Sequence, residues 1–299
     1  MARRPPVDRA GLQPGPEVGP LVLEIRISGR KPATAAAVLA ERSGLAKARI
    51  KDAMNKGAVW LTRAGTARRL RRASQELKAG DRLALYYDAA LLTLTPPPVA
   101  CLADAGRYSV WIKPPGLMAQ GNRFGDHCSL VRQAELALWP RPAFPVHRLD
   151  REAAGLMLVA HDQQAAAAFS RLFAERAIRK RYLVEVLGQP AAPGQGGSID
   201  SPLDDKPAHT DYRVLERRED GRTALLEAFI STGRRHQLRR HLAATGHPVM
   251  GDPRYGKGNK NRIGLRLWAV GLAFVCPFSG QEQAFTWEPE TAAPDGEAP

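Results

Sequence analysis

Apolar residues in the N-terminal part of the chain follow the three-and-four spacing of two short helices. The stretch from residue 34 to residue 57 carries one apolar stripe, an interruption at Ser43-Gly44, and a second stripe that ends before Gly57. This spacing places the apolar side chains of each helix on one face. Flanking stretches AVWLTR and DRLALYYD predict two strands, and the sequence between them, AGTARRLRRASQ, predicts a loop. The stripe residues are Ala35, Val38 and Leu39, followed by Ala46, Ile50, Ala53 and Met54.

The rest of the chain mixes strand and helix patterns in an order that predicts an α+β domain. Tyr182, Val184 and Val186 alternate with other residues and would share one face of a strand. Apolar residues between Gln163 and Ala177 recur every three or four positions, as in a helix packed on a sheet. The predicted strands are Tyr108–Ile112, Leu156–Ala160, Tyr182–Leu187, Leu225–Ile230 and Ala269–Val275, and the predicted helices are Ser129–Leu138, Gln163–Ala177 and Arg235–Ala244.

Stretches rich in proline and glycine divide the chain into a small module and a larger domain. Residues 1–20 predict a flexible basic arm and residues 22–88 a compact module. Residues 89–104 contain Pro96-Pro97-Pro98 and predict a linker. Residues 105–290 would form the α+β domain, and residues 291–299 a flexible tail. A chain of 299 residues is long enough for two such domains.

Charge is the unusual feature of the composition. The chain has 44 Lys and Arg against 30 Asp and Glu, a net charge of +14, which favours a polyanionic partner. Basic residues are spread through segments with folded patterns, and this favours nucleic acid over a membrane surface. Residues 22–88 hold fifteen Lys and Arg and six Asp and Glu, a net charge of +9. The arginines of the predicted loop, Arg68, Arg69, Arg71 and Arg72, are therefore candidate phosphate contacts.

Several other classes of protein do not fit the sequence. No run approaches the ~20 apolar residues that span a bilayer, and the N-terminus lacks the apolar region of a signal peptide, so a cytoplasmic protein is expected. Three scattered cysteines disfavour disulfides and a thiolate zinc site. Four histidines lie in the motif segments, but their spacing matches no common zinc pattern, so no metal is expected. These histidines are His147, His236, His241 and His247.

The N-terminal module resembles the alpha-L RNA-binding motif, a small helix-turn-helix with strands. The matching features are Ser43-Gly44 between the helices, Ile50 in the second helix, Gly57-Ala58-Val59 after it, and Lys78-Ala79-Gly80-Asp81 before the last strand. The Asn-Gly hairpin of that motif is replaced here by Arg63-Ala64-Gly65. The resemblance implies that this module binds RNA.

Five motifs follow one another between Tyr108 and Glu288. They are YSVWIKPPGLMAQ, HRLDREAAGLMLVA, IRKRYLVEV, SPLDDKPAHTDYRVLE and TGRRHQLRRHLAATGHPVMGDPRYG. In this order and spacing they resemble RNA pseudouridine synthases of the RluA-type family. The resemblance implies a mixed, mainly antiparallel central sheet flanked by helices. It also implies isomerisation of uridine to pseudouridine in structured RNA, ribosomal or transfer, without a cofactor or metal.

The same resemblance assigns roles to individual residues. It makes Asp150 the catalytic carboxylate, pairs it with Arg239, and places the ring and hydroxyl of Tyr182 against the target base. A carboxylate in a dry pocket needs a nearby cation to stay ionised, which is the expected role of the arginine. Arg148 would help to displace the target nucleotide. Lys113 in IKPPG is a candidate phosphate contact, and a structural lysine before a Pro-Pro turn is an equally good alternative.

The motifs also depart from the family pattern. Ala153-Ala154 stands where the family has Thr-Ser, and Arg235 stands where it has Thr. A second class of function therefore remains open, a non-catalytic RNA-binding or RNA-folding factor on the same scaffold. A monomer is expected in either case.

Overall fold

A computed structural model describes residues 19–29, 34–218 and 221–290. The chain divides into two compact units, one that ends at Leu94 and includes Asn122–Gly125, and one made of the remaining residues. Most of the predicted N-terminal arm, residues 1–18, and the whole predicted tail, residues 291–299, lie outside the described residues.

The first unit contains an antiparallel sheet in the order β1-β4-β2-β3 and, among its described residues, three helices. Its elements are β1 (Leu21–Arg26), α1 (Ala35–Ser43), α2 (Lys47–Asn55), β2 (Val59–Arg63), β3 (Thr66–Arg69), β4 (Arg82–Tyr87) and α3 (Ala89–Thr93). The side chain of Thr34 caps α1 by accepting from the N–H of Ala37, and Gly44 ends the helix in a left-handed conformation. The predicted apolar stripes are confirmed at Leu39, Ile50 and Met54, which are fully buried. Ala46 is wrong as a stripe residue, because it is exposed and precedes the first residue of α2.

Two predictions for this part of the chain are wrong. Residues 66–69 of the predicted loop form β3, which pairs with β2. The sequence does not reveal this strand because it is short and its side chains are mostly exposed, so no apolar alternation marks it. The predicted linker over residues 89–104 is also too long. Asp88 caps α3 at its start, and residues 100–104 form the first strand of the second unit.

The second unit is built on one large sheet. Its strands are β5 (Ala100–Asp104), β6 (Tyr108–Lys113), β7 (Phe144–Pro145), β8 (Ala154–Ala160), β9 (Arg179–Leu187), β10 (Gly196–Asp200), β11 (His209–Arg217), β12 (Thr223–Ile230), β13 (Leu267–Val275) and β14 (Glu282–Thr286). Its helices are α4 (Leu130–Ala137), α5 (Gln163–Ala174) and α6 (Gln237–Ala244). Each strand and helix predicted for this domain is present, with ends that differ by a few residues.

The sheet runs in the order β10-β11-β12-β9-β13-β8-β6-β5, with β14 beside β13 and β7 beside β8. Among the named strands of the described residues, β8 and β13 pair in parallel and the other pairings are antiparallel. This confirms the predicted α+β fold with a mixed, mainly antiparallel sheet. None of the helices in the described ranges has the length and hydropathy that crossing a bilayer requires.

Strand β8 lies in the middle of this sheet and fixes the loop that precedes it. All seven of its residues are buried, as expected for a strand covered on both faces. Gly155, near its start, has φ +121°, and a Cβ there would lie 2.2 Å from the carbonyl oxygen of Ala269. Only glycine allows β13 to approach this closely. The residues just before β8 are thereby held against β13.

Candidate active site

A cleft of about 540 Å³ opens in the second unit where three segments meet. The segments are the loop that leads into β8, the start of β9, and the turn that leads from β12 into α6. Asp150, Tyr182 and Arg239 all line this cleft, although they are far apart in the sequence. The structure therefore brings together the three residues that the family resemblance assigned to catalysis.

Asp150 and Arg239 form a hydrogen-bonded ion pair. Nη1 of Arg239 donates to Oδ2 of Asp150 at 3.0 Å. The arginine side chain is 1% exposed and the aspartate side chain 18% exposed, so the cation is buried and the carboxylate reaches the cleft. Oδ1 of Asp150 accepts no hydrogen bond from the described residues. One carboxylate oxygen is thus anchored and the other is open to the cleft.

Asp252 holds the guanidinium of Arg239 from the opposite side. Nε and Nη2 of Arg239 donate to the two carboxylate oxygens of Asp252 at 2.7 and 2.8 Å. Oδ1 of Asp252 also accepts from the backbone N–H groups of Arg254 and Tyr255. This two-point contact fixes the plane of the guanidinium and directs Nη1 towards Asp150. Asp252 is not among the site residues predicted from the sequence, and the signal available for it was its place in the GDPRYG turn.

The electrostatics of this cluster favour charged side chains. Burial alone would raise the pKa of Asp252, but the hydrogen bonds from Arg239 and from two backbone N–H groups lower it below its ordinary value. Burial likewise lowers the pKa of Arg239, but its hydrogen bonds to Asp252 and Asp150 raise it above the ordinary value of an arginine. Glu152 adds a further carboxylate, with Oε2 at 3.5 Å from Nη1 of Arg239.

Tyr182 lies beside this pair near the start of β9. Its side chain packs in the core with Val184 and Val186, the face predicted from their alternation. Burial raises the pKa of Tyr182, and the charge of Asp150 raises it further. Its hydroxyl therefore remains protonated at neutral pH, where it can donate a hydrogen bond or pass on a proton.

The turn that leads into α6 is held by Gln237. Nε2 of Gln237 donates to the carbonyl of His209 at 2.8 Å, and its Oε1 accepts from Thr232 and from the N–H of Arg234. His236, the residue before it, has a left-handed backbone with φ 53°. Its Nδ1 lies 2.9 Å from the hydroxyl of Tyr255, and its Nε2 lies 3.7 Å from Oδ1 of Asp150.

His147 has a structural contact rather than a place in the ion network. Its Nε2 accepts from the N–H of Leu158 at 2.8 Å, and its ring stacks on Phe173. Burial lowers the pKa of His147 to about 3, so the ring is neutral and fixes the loop before Asp150. Within the described ranges, no group of three or more His, Cys, Asp or Glu side chains is arranged to hold a metal ion.

Basic side chains line the mouth of the cleft. Arg148, Arg176 and Arg235 are exposed there, and Lys180 and Arg234 are partly buried. Arg148, expected to help displace a nucleotide, is therefore accessible beside Asp150. A rim of this charge suits an RNA backbone.

The proposed contact between Lys113 and phosphate is wrong. The side chain of Lys113 is fully buried, and its ammonium donates to the carbonyls of Pro114, Leu117 and Arg151. Burial lowers its pKa to about 7. The alternative, a structural lysine, is the correct one. It ties the turn after β6 to the residue that follows Asp150.

The four arginines proposed for RNA binding in the first unit differ in their surroundings. Arg68 and Arg72 are exposed, and Arg72 donates to Ser74. Arg69 donates to the carbonyl of Gly57 and lies over the ring of Trp60. Arg71 donates to the carbonyl of Asn55 at 2.6 Å. Arg69 and Arg71 thus also hold the module together.

Comparison with known proteins identifies a family. The family model described as RNA pseudouridylate synthase matches residues 107–244. An uncharacterized RNA pseudouridine synthase of Aquifex aeolicus is 30% identical over 305 residues, which span 90% of this chain and 94% of the relative. The dual-specificity RNA pseudouridine synthase RluA of Escherichia coli is 35% identical over 58% of this chain and 85% of its own length.

Other relatives match over a smaller share of their length. Ribosomal large subunit pseudouridine synthase D of Nitrosomonas europaea is 31% identical over 64% of this chain, and the match spans 61% of that protein. An uncharacterized RNA pseudouridine synthase of Chloroflexus aurantiacus is 36% identical over 58% of this chain, and the match spans 60% of that relative.

Two solved human structures have the same fold. RNA pseudouridylate synthase domain containing 1 superposes with a TM-score of 0.55 and 22% identity, covering 67% of this chain and 88% of its own. RNA pseudouridylate synthase domain containing 4 superposes with a TM-score of 0.51 and 24% identity, covering 63% and 88%.

Proposed function

Because the chain belongs to the RNA pseudouridine synthase family and is of the RluA type, we propose that it converts uridine to pseudouridine in structured ribosomal or transfer RNA, with Asp150 as the catalytic carboxylate. The observation that carries this proposal is that the two carboxylate oxygens of Asp150 have different surroundings. Oδ2 is bound to the buried Arg239 at 3.0 Å, while Oδ1 faces the cleft. A fixed cation and an open oxygen are what an anionic catalyst requires.

The reaction is an isomerisation and consumes no cofactor. The bond between ribose C1′ and uracil N1 breaks, and a bond between C1′ and C5 forms. C5 loses its proton and N1 gains one, so atoms and electrons balance. The carboxylate of Asp150 can attack the sugar, attack the base, or support a glycal route. Each of these routes begins from the ionised form.

Arg239 and Asp252 prepare Asp150 for this step. Two hydrogen bonds to Asp252 hold the guanidinium in place before RNA binds. The cation therefore needs no reorganisation when charge changes on Asp150, which is how preorganised electrostatics lower a barrier. The ring of Tyr182 would stack on the uracil, and its protonated hydroxyl would transfer a proton during the sugar step.

The target uridine must leave its helix to reach this cleft. Unstacking costs a few kcal/mol, which favours loops and unpaired uridines as targets. Phosphate contacts from the exposed Arg148, Arg176 and Arg235 offset part of that cost. Arg148 would help to displace the target nucleotide. Residues 22–88, with a net charge of +9, would add affinity for RNA through Arg68 and Arg72.

The departure at Ala153-Ala154 does not disturb this arrangement. Both side chains are buried, 3% and 5% exposed, and pack with apolar residues. The contacts of Asp150 with Arg239 are intact beside them. The loss of two hydroxyls therefore does not favour a non-catalytic RNA-binding factor. Because the site is built from a single chain, we further propose that the protein acts as a monomer, without a metal, on RNA in the cytoplasm.

Release of tritium from RNA labelled at carbon 5 of uridine tests the proposal. We expect the wild type to release label from transcribed ribosomal or transfer RNA, and Asp150→Asn to release none while it still retards RNA in a gel. Asp104→Asn is a matched control, because Asp104 pairs with Arg141 away from the cleft. A wild type that binds both RNAs and releases no label would refute the proposal.

A further inference from the structure

A second side chain approaches the oxygen of the catalytic carboxylate that Arg239 does not contact. The imidazole of His236 lies between Tyr255 and Asp150, with Nδ1 at 2.9 Å from the Tyr255 hydroxyl and Nε2 at 3.7 Å from Oδ1 of Asp150. Its side chain is 10% exposed. The ring of Tyr255 also faces the guanidinium of Arg239, whose Cζ lies 5.3 Å from the ring centroid. Tyr255 thus contacts both groups that flank the carboxylate.

The charge on Asp150 decides which nitrogen of His236 carries the proton. If Nδ1–H donated to Tyr255, the bare lone pair of Nε2 would face an anionic oxygen at 3.7 Å, which is repulsive. If the Tyr255 hydroxyl donates to Nδ1, the proton sits on Nε2 and faces Oδ1 of Asp150, which is attractive. The contact with Tyr255 is compatible with both tautomers. The carboxylate therefore selects the Nε2–H form.

The surroundings also keep this ring neutral. Burial lowers the pKa of His236, the charge of Asp150 raises it, and the nearby guanidinium groups of Arg239, Arg235 and Arg254 lower it further, with a net shift below the ordinary value. A neutral ring carries one N–H and leaves the full negative charge on Asp150. An imidazolium in the same place would withdraw charge from the oxygen that has to react.

We propose that His236 is a positioning residue, whose Nε2–H faces Oδ1 of Asp150 and sets the orientation of the carboxylate that Arg239 holds at Oδ2. This inference rests on the proposed function, because it concerns the same carboxylate. The two contacts restrict rotation of Asp150 about its side-chain bonds and direct Oδ1 towards the cleft. At 3.7 Å the contact between Nε2–H and Oδ1 is a longer electrostatic contact rather than a full hydrogen bond.

The backbone of His236 is consistent with this role. Its φ of 53° places it in the left-handed region, which costs of order 1–3 kcal/mol for a residue other than glycine. Asparagine tolerates this conformation better than most residues. Asparagine could keep this backbone and the contact at Nδ1, but its side chain does not reach the position of Nε2. Histidine reaches both Tyr255 and Asp150.

A pair of substitutions separates positioning from a structural role. In His236→Gln the side-chain amide can place an N–H where Nε2 lies. In His236→Asn the amide reaches only the Nδ1 position and can keep the contact with Tyr255. We expect Asn to lower kcat for tritium release about fivefold more than Gln does, with KM and RNA affinity within about twofold of the wild type for both variants.

A structural role predicts the opposite order, because Asn fits the left-handed backbone and Gln does not. A kcat for Asn equal to or above that for Gln, with both variants folded by circular dichroism, would overturn the inference. Activity of the wild type in the same assay keeps the proposed function standing in that case. A wild type that releases no tritium would overturn both.

Nitrogen-15 NMR of histidine-labelled protein gives a second measurement that needs neither variant. We expect His236 to show a protonated Nε2 and an unprotonated Nδ1 at neutral pH. Tyr255→Phe, which keeps the ring and removes the hydroxyl, should shift the Nδ1 resonance and leave Nε2 protonated. A protonated Nδ1 in the wild type would contradict the proposed orientation even if both variants at position 236 failed to fold.

Discussion

Asp252→Asn should show how far the reactivity of Asp150 depends on a buried residue that does not line the cleft. Asp252 is fully buried, and both of its carboxylate oxygens accept hydrogen bonds from Arg239. In the variant, the amide oxygen can still accept from Nη2 and from the N–H groups of Arg254 and Tyr255. The amide nitrogen, however, would face Nε of Arg239. Two hydrogen-bond donors would then lie against each other in the core, and neither would have an acceptor there. The guanidinium would also lose the charge of its best-placed partner.

The size of the effect follows from the burial of both groups. Removing one partner of a buried ion pair costs about 3–5 kcal/mol. Arg239 still contacts Asp150 and Glu152 in the variant, so we expect the lower end, a loss of about 3 kcal/mol in the free energy of unfolding. The variant should remain folded, because domains are typically stable by ~5–15 kcal/mol. A guanidinium that shifts by a fraction of an ångström should lower kcat tenfold or more, on the order expected for misplaced catalytic groups.

Urea unfolding and tritium release measure these two effects. Asp204→Asn is the matched control, because Asp204 pairs with the neighbouring Arg240 at 3.0 Å and its side chain is 66% exposed. We expect both the stability and the kcat of this control to stay close to the wild type. A variant at Asp252 as stable and as active as the control would refute the reasoning.

The pH dependence of stability provides a further check on the same pair. The folded-state pKa of Asp252 lies below the ordinary value of 3.8, so its contribution is fully present above that value. The contribution is lost as the pH falls through the ordinary value towards the folded one. The wild type and Asp252→Asn should therefore differ most near neutral pH and converge in acid. A constant difference down to about pH 2 would contradict this linkage.

Two other predictions test the reassignment of Lys113 and the division among the N-terminal arginines. The folded-state pKa of Lys113 is about 7, below the ordinary 10.5. Burial of the protonated form therefore offsets part of what its hydrogen bonds contribute, and the contribution of Lys113 to stability improves as the pH rises. In urea unfolding, the free energy of unfolding of the wild type relative to Lys113→Met should rise by about 2 kcal/mol between about pH 7 and pH 9. A difference that does not change with pH would refute the lowered pKa of Lys113. Replacing Arg68 and Arg72 by Gln should reduce the slope of log affinity against log salt by about 0.7–0.9 for each lost phosphate contact, without loss of thermal stability. Replacing Arg69 and Arg71 by Gln should instead lower the melting temperature. If both double variants changed the salt dependence and the melting temperature equally, the proposed difference between the two pairs of arginines would be contradicted.

The sequence predicts the central elements of the second unit well, for a physical reason. β8 and β9 lie in the middle of the sheet. All side chains of β8 are buried, and β9 buries the alternating face of Tyr182, Val184 and Val186, so both apolar patterns are strong. β3 and β11 carry mostly exposed or half-buried side chains, and their patterns do not distinguish a strand from a loop. Burial, rather than strand formation itself, is what the apolar pattern reports.

The candidate site could be predicted only in part. Resemblance to a family gave Asp150, Tyr182 and Arg239, because each lies in a motif whose order and spacing are recognisable. Asp252 and His236 lie in the same motifs, but their contacts depend on side-chain directions that no spacing specifies. Asp252 could equally have capped its own turn, as its contacts with Arg254 and Tyr255 show.

Lys113 illustrates the opposite error. The sequence favours a phosphate contact and a structural lysine equally at this position, although lysines are usually exposed. Three carbonyl groups in the turns around it form a buried site for an ammonium group instead. Pro114 and Leu117 are close to Lys113 in the sequence. Arg151 is not, and only the folded chain brings its carbonyl to the ammonium.

The most direct test of the account compares Arg239→Met with Arg240→Met in tritium release and in RNA binding. The two arginines are neighbours on α6, but the side chain of Arg239 is 1% exposed and contacts Asp150, while that of Arg240 is 26% exposed and pairs with Asp204. We expect Arg239→Met to lower kcat about a hundredfold or more, with RNA affinity close to the wild type, and Arg240→Met to keep nearly full turnover. Equal turnover in the two folded variants would show that the reactivity of Asp150 does not depend on Arg239, and would contradict the account.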